Sequence, residues 1–180
     1  MKEFEFIIVA SGIDISGDEG VDRFFEAGCD DATISLQNGV IILDFCREAK
    51  NYVHALVSAW RDVRKAGANV LRVEPDVLVS LSDIAERLNE TRAAVSNYSQ
   101  GKRRSGFPKP VARITTGSPM WDWEDVARWA HKNDKATIET IVEVRTVKAV
   151  NTFAYHHFEV RSDVPFAGYA PLQAALSATV

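Results

Sequence analysis

At 180 residues, with 46% hydrophobic and 26% charged side chains, the chain has the composition of one or two globular domains and not that of a disordered polymer. No apolar run approaches the length of a bilayer span, and the N-terminus lacks the apolar stretch and small-residue cleavage site of a signal peptide, so a cytoplasmic protein with no membrane partner is expected. The net charge of −4 argues against a uniformly basic nucleic-acid binder.

That charge is unevenly spread. Residues 1–79 carry eight Lys and Arg against fourteen Asp and Glu, whereas residues 80–132 carry nine against six. From Thr91 to Trp121 there are six basic residues and no acidic one. A local DNA-binding face produces such an asymmetry even when the total is negative.

In chain order, Phe4, Phe6 and Ile8 alternate with the period of a half-buried strand. A short helix follows Gly17-Asp18, with Val21, Phe24 and Phe25 on one face. Ala32–Leu36 and Val40–Phe45 read as strands joined at Asn38-Gly39, a pair suited to the positive φ values of a type I′ hairpin turn. Tyr52, Val53, Leu56, Val57, Trp60 and Val63 form a helical stripe that stops at Gly67, and Asn69–Val73 reads as a fourth strand. The order β-α-β-β-α-β predicts an α+β domain over residues 1–76 with a ferredoxin-like layout.

Ser80 and Asp83 then form a capping box at the start of a helix whose inward residues are Ile84, Ala85 and Leu88. Asn89-Glu90 suits a tight turn, and Thr91 is a good N-cap for a second helix anchored inward by Val95. Arg92, Ala93, Ser96, Asn97 and Gln100 are expected to point outward. Small side chains let such a helix sit deep in a major groove, while Arg and Asn can pair bidentately with guanine and adenine edges. Thr91 stands at the helix start, where the dipole favours a phosphate. The segment Gly101–Lys109 adds Lys102, Arg103, Arg104 and Lys109, residue types that supply salt-dependent backbone contacts.

The stretches "LSDIAERLNETRAAVSNY", "GFPKPV" and "WDWEDVARWA", in that order, resemble the excisionase/AlpA-type branch of the MerR-like winged helix-turn-helix proteins over residues 79–132. The resemblance implies a recognition helix in the major groove, a wing at Phe107, Pro108, Pro110 and Val111, and a closing helix bearing Trp121, Val126 and Trp129. Helical spacing assigns Trp121, Trp123 and Trp129 to core packing rather than to base stacking.

Residues 134–180 are expected to contribute a helix over about Asp134–His156, with Ile138, Ile141, Val142, Val144, Val147 and Val150 apolar, followed by a tail. That helix or the N-terminal sheet is the expected two-fold contact of a homodimer. Cys29 and Cys46 are expected to be buried reduced thiols, and Asp30-Asp31 a solvated turn. His156-His157 cannot easily grip one ion, because adjacent helical residues diverge by about 100°. No catalytic, metal-ligating or cofactor-binding set is nominated, and an enzyme is not expected. The functional expectation is a sequence-specific double-stranded-DNA-binding transcriptional regulator, a homodimeric repressor. The alternative is an antitoxin or phage-defence module whose acidic N-terminal domain binds a protein partner and which uses DNA binding for autoregulation. A third reading makes that domain a small-ligand sensor by fold analogy.

Overall fold

Strand β1 (Lys2–Ser11) opens the chain and sits inside a four-stranded antiparallel sheet ordered β2-β3-β1-β4, in a computed structural model that describes residues 1–159, with side chains to Tyr155. The other sheet strands are β2 (Ala32–Gln37), β3 (Val40–Ala49) and β4 (Asn69–Glu74). Helix α1 (Asp18–Ala27) joins β1 to β2, and α2 (Tyr52–Lys65) joins β3 to β4. The hairpin turn behaves as its residue types require: Asn38 and Gly39 adopt φ of 51° and 81°. The molecule is therefore α+β, built on this sheet and, among the described residues, six helices.

Alternation decides the buried face. Phe6, Ile8 and Ala10 of β1 and Ile41, Leu43, Phe45 and Ala49 of β3 point to one side and are buried. Against them pack Phe24 of α1 and Tyr52, Ala55, Leu56, Ala59 and Val63 of α2. The small Ala55 and Ala59 let α2 lie close to the sheet, and truncating Leu56 to Ala would cost about 2–5 kcal/mol. Gly20 is required at the base of α1, because a Cβ there would sit 1.9 Å from the Asp14 carbonyl oxygen. Asn51 caps α2 by accepting from the His54 N–H at 3.0 Å, and Gly67 (φ 96°) follows its end.

Three expectations in this half need correction. Strand β3 runs four residues past Phe45, because Arg47 takes the next inward position and is only 7% exposed there. Its guanidinium donates to both Asp31 carboxylate oxygens at 2.8 Å, to Asp62 at 2.6 Å, to Ser58 Oγ at 3.1 Å and to the Gly28 carbonyl at 2.7 Å. Asp31 is thus a partner of a buried charge, not part of a solvated turn; Asp30 remains exposed. Cys46, between Phe45 and Arg47, faces outward and is exposed, while Cys29 is buried as expected. Burial and the neighbouring Asp62 push the Cys29 thiol up to about 12, which suits an inert core thiol.

Beyond Val77, strand β5 (Leu78–Val79) pairs with β6 (Trp121–Asp122), and between and after them come α3 (Leu81–Arg87), α4 (Arg92–Ser99) and α5 (Trp123–Lys132). These enclose a second core of Val79, Ile84, Val95, Tyr98, Trp121, Trp129 and their neighbours. Helix α6 (Ile138–Glu159) unites the two cores. Its Ile141 and Val144 belong to the second, and its Val147 to the first. The inward residues expected of a two-fold contact are therefore used within one chain, although Ile138, Val142 and Phe153 stay exposed. The side chains of His156 and His157, and the tail, lie outside the described residues. No helix among the described residues is long and apolar enough to cross a membrane.

Candidate nucleic-acid interface

Helices α3 and α4 meet at a turn dictated by three local devices. The Ser80 hydroxyl accepts from the Ser82 and Asp83 N–H groups, and the Asp83 carboxylate accepts from the Ser80 N–H at 2.7 Å, completing the capping box. That backbone bond holds the Asp83 carboxyl below its ordinary range. Asn89 adopts φ 50°, reversing the chain, and the Glu90 N–H donates to the Ala85 carbonyl at 2.8 Å. Thr91 Oγ1 then accepts from the Ala94 N–H at 3.1 Å and starts α4. Ala85, almost fully buried, leaves room for the crossing of the two helices.

The outward face of α4 follows from its inward one. Val95 and Tyr98 are buried, so Thr91, Arg92, Ala93 and Gln100 are exposed and Ser96 and Asn97 half-exposed. The Gln100 amide donates to Ser96 Oγ at 3.1 Å, which orients both. Arg92 and the Asn97 side chain make no hydrogen bond or ion pair among the described residues. They are available to a ligand.

The basic segment after α4 is fixed by its backbone rather than by its charges. The Lys102 and Arg103 N–H groups both donate to the Asn97 carbonyl, closing the end of α4. Trp129 Nε1 donates to the Ser105 carbonyl and Trp121 Nε1 to the Pro108 carbonyl, each at 3.1 Å. Phe107 lies in an aromatic cluster with Tyr98, Trp121 and Trp129, its ring centroid 4.8 Å from that of Trp129. The tryptophans therefore pack in the core as expected, and their indole N–H groups hold the loop.

Three site expectations change. Phe107 and Pro108 anchor the segment and do not form a projecting wing. The hairpin forms further on, where Ala112 bridges Met120 and the exposed residues 113–118 make its tip. Trp121 is a strand residue in β6, and the closing helix starts at Trp123 with Asp122 as its N-cap. Arg104 is exposed as expected, and its Nη1 donates to the carbonyl and to the side-chain oxygen of Asn133 at 2.9 and 3.2 Å, neutral acceptors that leave its charge in place. Arg113 is the residue passed over; it is exposed at the base of the hairpin tip. The turn-forming run Thr116-Gly117-Ser118-Pro119 between two bridging residues was the available signal.

The electrostatics sharpen the picture. Of the six basic residues between Thr91 and Trp121, Arg92, Lys102, Arg103, Lys109 and Arg113 are exposed, with side chains that find no partner among the described residues. The carboxylates of the same unit are largely engaged elsewhere. Glu90 pairs with Lys135, whose hydrogen bond draws the Glu90 carboxyl below its usual range. Glu124 is held by Arg128 at 2.7 Å, and Asp122 by Lys148 at 2.7 Å. Arg87 lies over the Trp123 ring and donates to the Asp76 carbonyl. Glu90, Asp122 and Glu124 are neutralised by Lys135, Lys148 and Arg128, Glu86 and Asp125 stay exposed, and the cations on and after α4 are left for solvent or a polyanion. Compared with known proteins, the chain matches no protein-family profile, no curated protein and no solved structure.

Proposed function

We propose that this chain is a sequence-specific double-stranded-DNA-binding transcriptional regulator, a repressor acting as a homodimer. In this reading residues 79–132 are a winged helix-turn-helix, α4 enters the major groove, and the hairpin at Arg113–Ser118 serves as the wing against the backbone. In the same reading residues 1–76 are a ferredoxin-like domain, which the sheet order β2-β3-β1-β4 and the helical connections α1 and α2 support.

The observation that carries the reading is the set of five cations on and after α4 with no partner among the described residues, in a unit where Glu90, Asp122 and Glu124 are held in ion pairs by other residues. Arg92 and Asn97 are the base readers, Ala93 permits close approach, and Lys102, Arg103, Arg104, Lys109 and Arg113 contact phosphates. A dimer fits because one small module gives limited specificity and two half-sites repeat its contacts.

The test is binding of the purified chain to DNA flanking its own gene and to a selected random pool, as a function of salt. With five phosphate contacts in each of two copies, log K against log[salt] should fall with a slope of roughly −9, at about −0.9 per contact. No shift of either DNA at low salt would sink the proposal.

A further inference from the structure

The four-stranded sheet has two edges, and the chain treats them differently. Strand β4 is covered by α6, and the Asn151 side chain bonds its backbone at Val73. Strand β2 forms its six ladder pairs with β3 and, among the described residues, has no neighbouring strand on its other side. Sheet edges that must stay single are usually blunted by charge, proline, a bulge or a covering element. The sequence Ala32–Gln37 has no charged residue and no proline, and its register with β3 is unbroken.

Which backbone groups are unpaired follows from parity. The Cys46 N–H donates to the Asp31 carbonyl at 3.1 Å, across the ladder just before β2. Hydrogen-bonded positions alternate in an antiparallel pair, so Thr33, Ser35 and Gln37 direct their backbone groups toward β3. Ala32, Ile34 and Leu36 direct theirs away. The Ala32 N–H is taken by the Cys29 carbonyl at 3.2 Å, which leaves Ile34 and Leu36 each with an outward N–H and C=O. Leu36 is also 60% exposed, although its side chain lies on the same face as the core residue Leu43 and the half-buried Ile34.

We propose that β2 is the dimer interface: two copies pair their β2 strands antiparallel about a two-fold axis at Ser35, joining two four-stranded sheets into one. This inference rests on the homodimer reading above and not on DNA recognition. A second copy satisfies the outward groups of both Ile34 and Leu36. Ile34 and Leu36 each exchange both backbone hydrogen bonds with the partner's Leu36 and the partner's Ile34. The exposed Leu36 side chain comes to lie beside the partner's Ile34, and no charges oppose each other, since Thr33 faces the partner's Gln37. Two-fold symmetry also makes the contact closed, so it ends at a dimer.

The test is the association state of the full chain without DNA, by sedimentation across a concentration series. Wild type should be a dimer, and Leu36→Pro should raise its dissociation constant by at least about tenfold, since two of the four interchain bonds lose their donor. Leu36 donates nothing to β3, so the circular dichroism spectrum should be unchanged. As a second measurement, Ser35→Cys in a Cys46→Ser background should form an interchain disulfide, because directly opposed non-hydrogen-bonded residues bring their Cα atoms to about 4.5 Å. Thr33→Cys in the same background should not. A wild-type monomer, or a dimer indifferent to Leu36→Pro with no Ser35→Cys cross-link, overturns the proposal. A β2-paired dimer that ignores DNA would leave it standing and sink the functional reading instead.

Discussion

Asn151, late in α6, hydrogen-bonds both backbone groups of Val73 in β4, accepting from its N–H at 2.7 Å and donating to its carbonyl at 2.9 Å across 78 residues of sequence. The carboxamide thus acts as one residue of a fifth strand on this edge. It also ties the last helix to the N-terminal sheet, while Ile141 and Val144 of the same helix sit in the other core.

Replacing Asn151 by Ala would leave both Val73 groups unpaired in a part-buried position. A loss of about 2–3 kcal/mol is expected in urea denaturation, at roughly 1–1.5 kcal/mol per bond. Asn151→Asp should be at least as damaging, because a carboxylate cannot donate to the carbonyl and sets a part-buried negative charge against its oxygen. Equal stability of Asn151→Ala and wild type would show that solvent satisfies this edge.

Arg47 is a different kind of anchor. Arg47→Ala leaves Asp31 and Asp62 facing each other without their shared cation, and the expected cost is about 3–5 kcal/mol, read by thermal or chemical unfolding. Asp31→Asn, which keeps an acceptor for the guanidinium, should cost less. The reverse ranking would mean that the Arg47 charge contributes little.

The DNA contacts divide by mechanism. Arg92→Ala or Asn97→Ala should cost about 1–3 kcal/mol on the preferred site and relax its sequence preference. Lys102→Ala, Arg103→Ala or Arg113→Ala should weaken all sequences alike and flatten the salt slope by about one per contact. Arg104→Ala should flatten the slope in the same way and also lower the melting temperature, since its Nη1 ties the loop to Asn133. Titrations of specific and scrambled duplexes at several salt concentrations distinguish the first two patterns, and thermal unfolding sets Arg104→Ala apart.

Trp129→Phe keeps an aromatic ring in the cluster but removes the N–H that holds the Ser105 carbonyl. The unit should stay folded, losing about 0.5–1.5 kcal/mol. Proteolysis should accelerate within residues 101–106. An unchanged cleavage rate would show that Phe107 alone anchors the loop.

Glu143 on α6 is half-buried, and burial pushes its carboxyl above the ordinary range. A carboxyl whose folded value is raised binds its proton more tightly when folded, so its ionised form destabilises the protein above that value. Glu143→Gln should therefore raise the melting temperature at pH 7. The gain should fade as pH falls toward the ordinary carboxylate range, where both versions are neutral. A gain that does not vary with pH would count against this cause.

How much was legible beforehand depends on how local each feature is. The capping box at Ser80, the N-cap at Thr91, the Asn38-Gly39 turn and the alternation of β1 are written in residues within a few positions of one another, and each formed where the sequence places it. The outward face of α4 was legible for the same reason: burying Val95 and Tyr98 fixes by helical period what must face away.

What required the fold is every pairing between distant segments. Nothing near Arg47 announces Asp62, nothing near Val73 announces Asn151, and nothing near Arg104 announces Asn133. The strands β5 and β6 are two residues each, too short for a period, and exist only because Val79 and Trp121 meet across a core. The sequence by itself determined the elements, the caps and the basic run. Tertiary structure alone decided which cations stay unpaired, because an ion pair depends on where a distant carboxylate comes to rest.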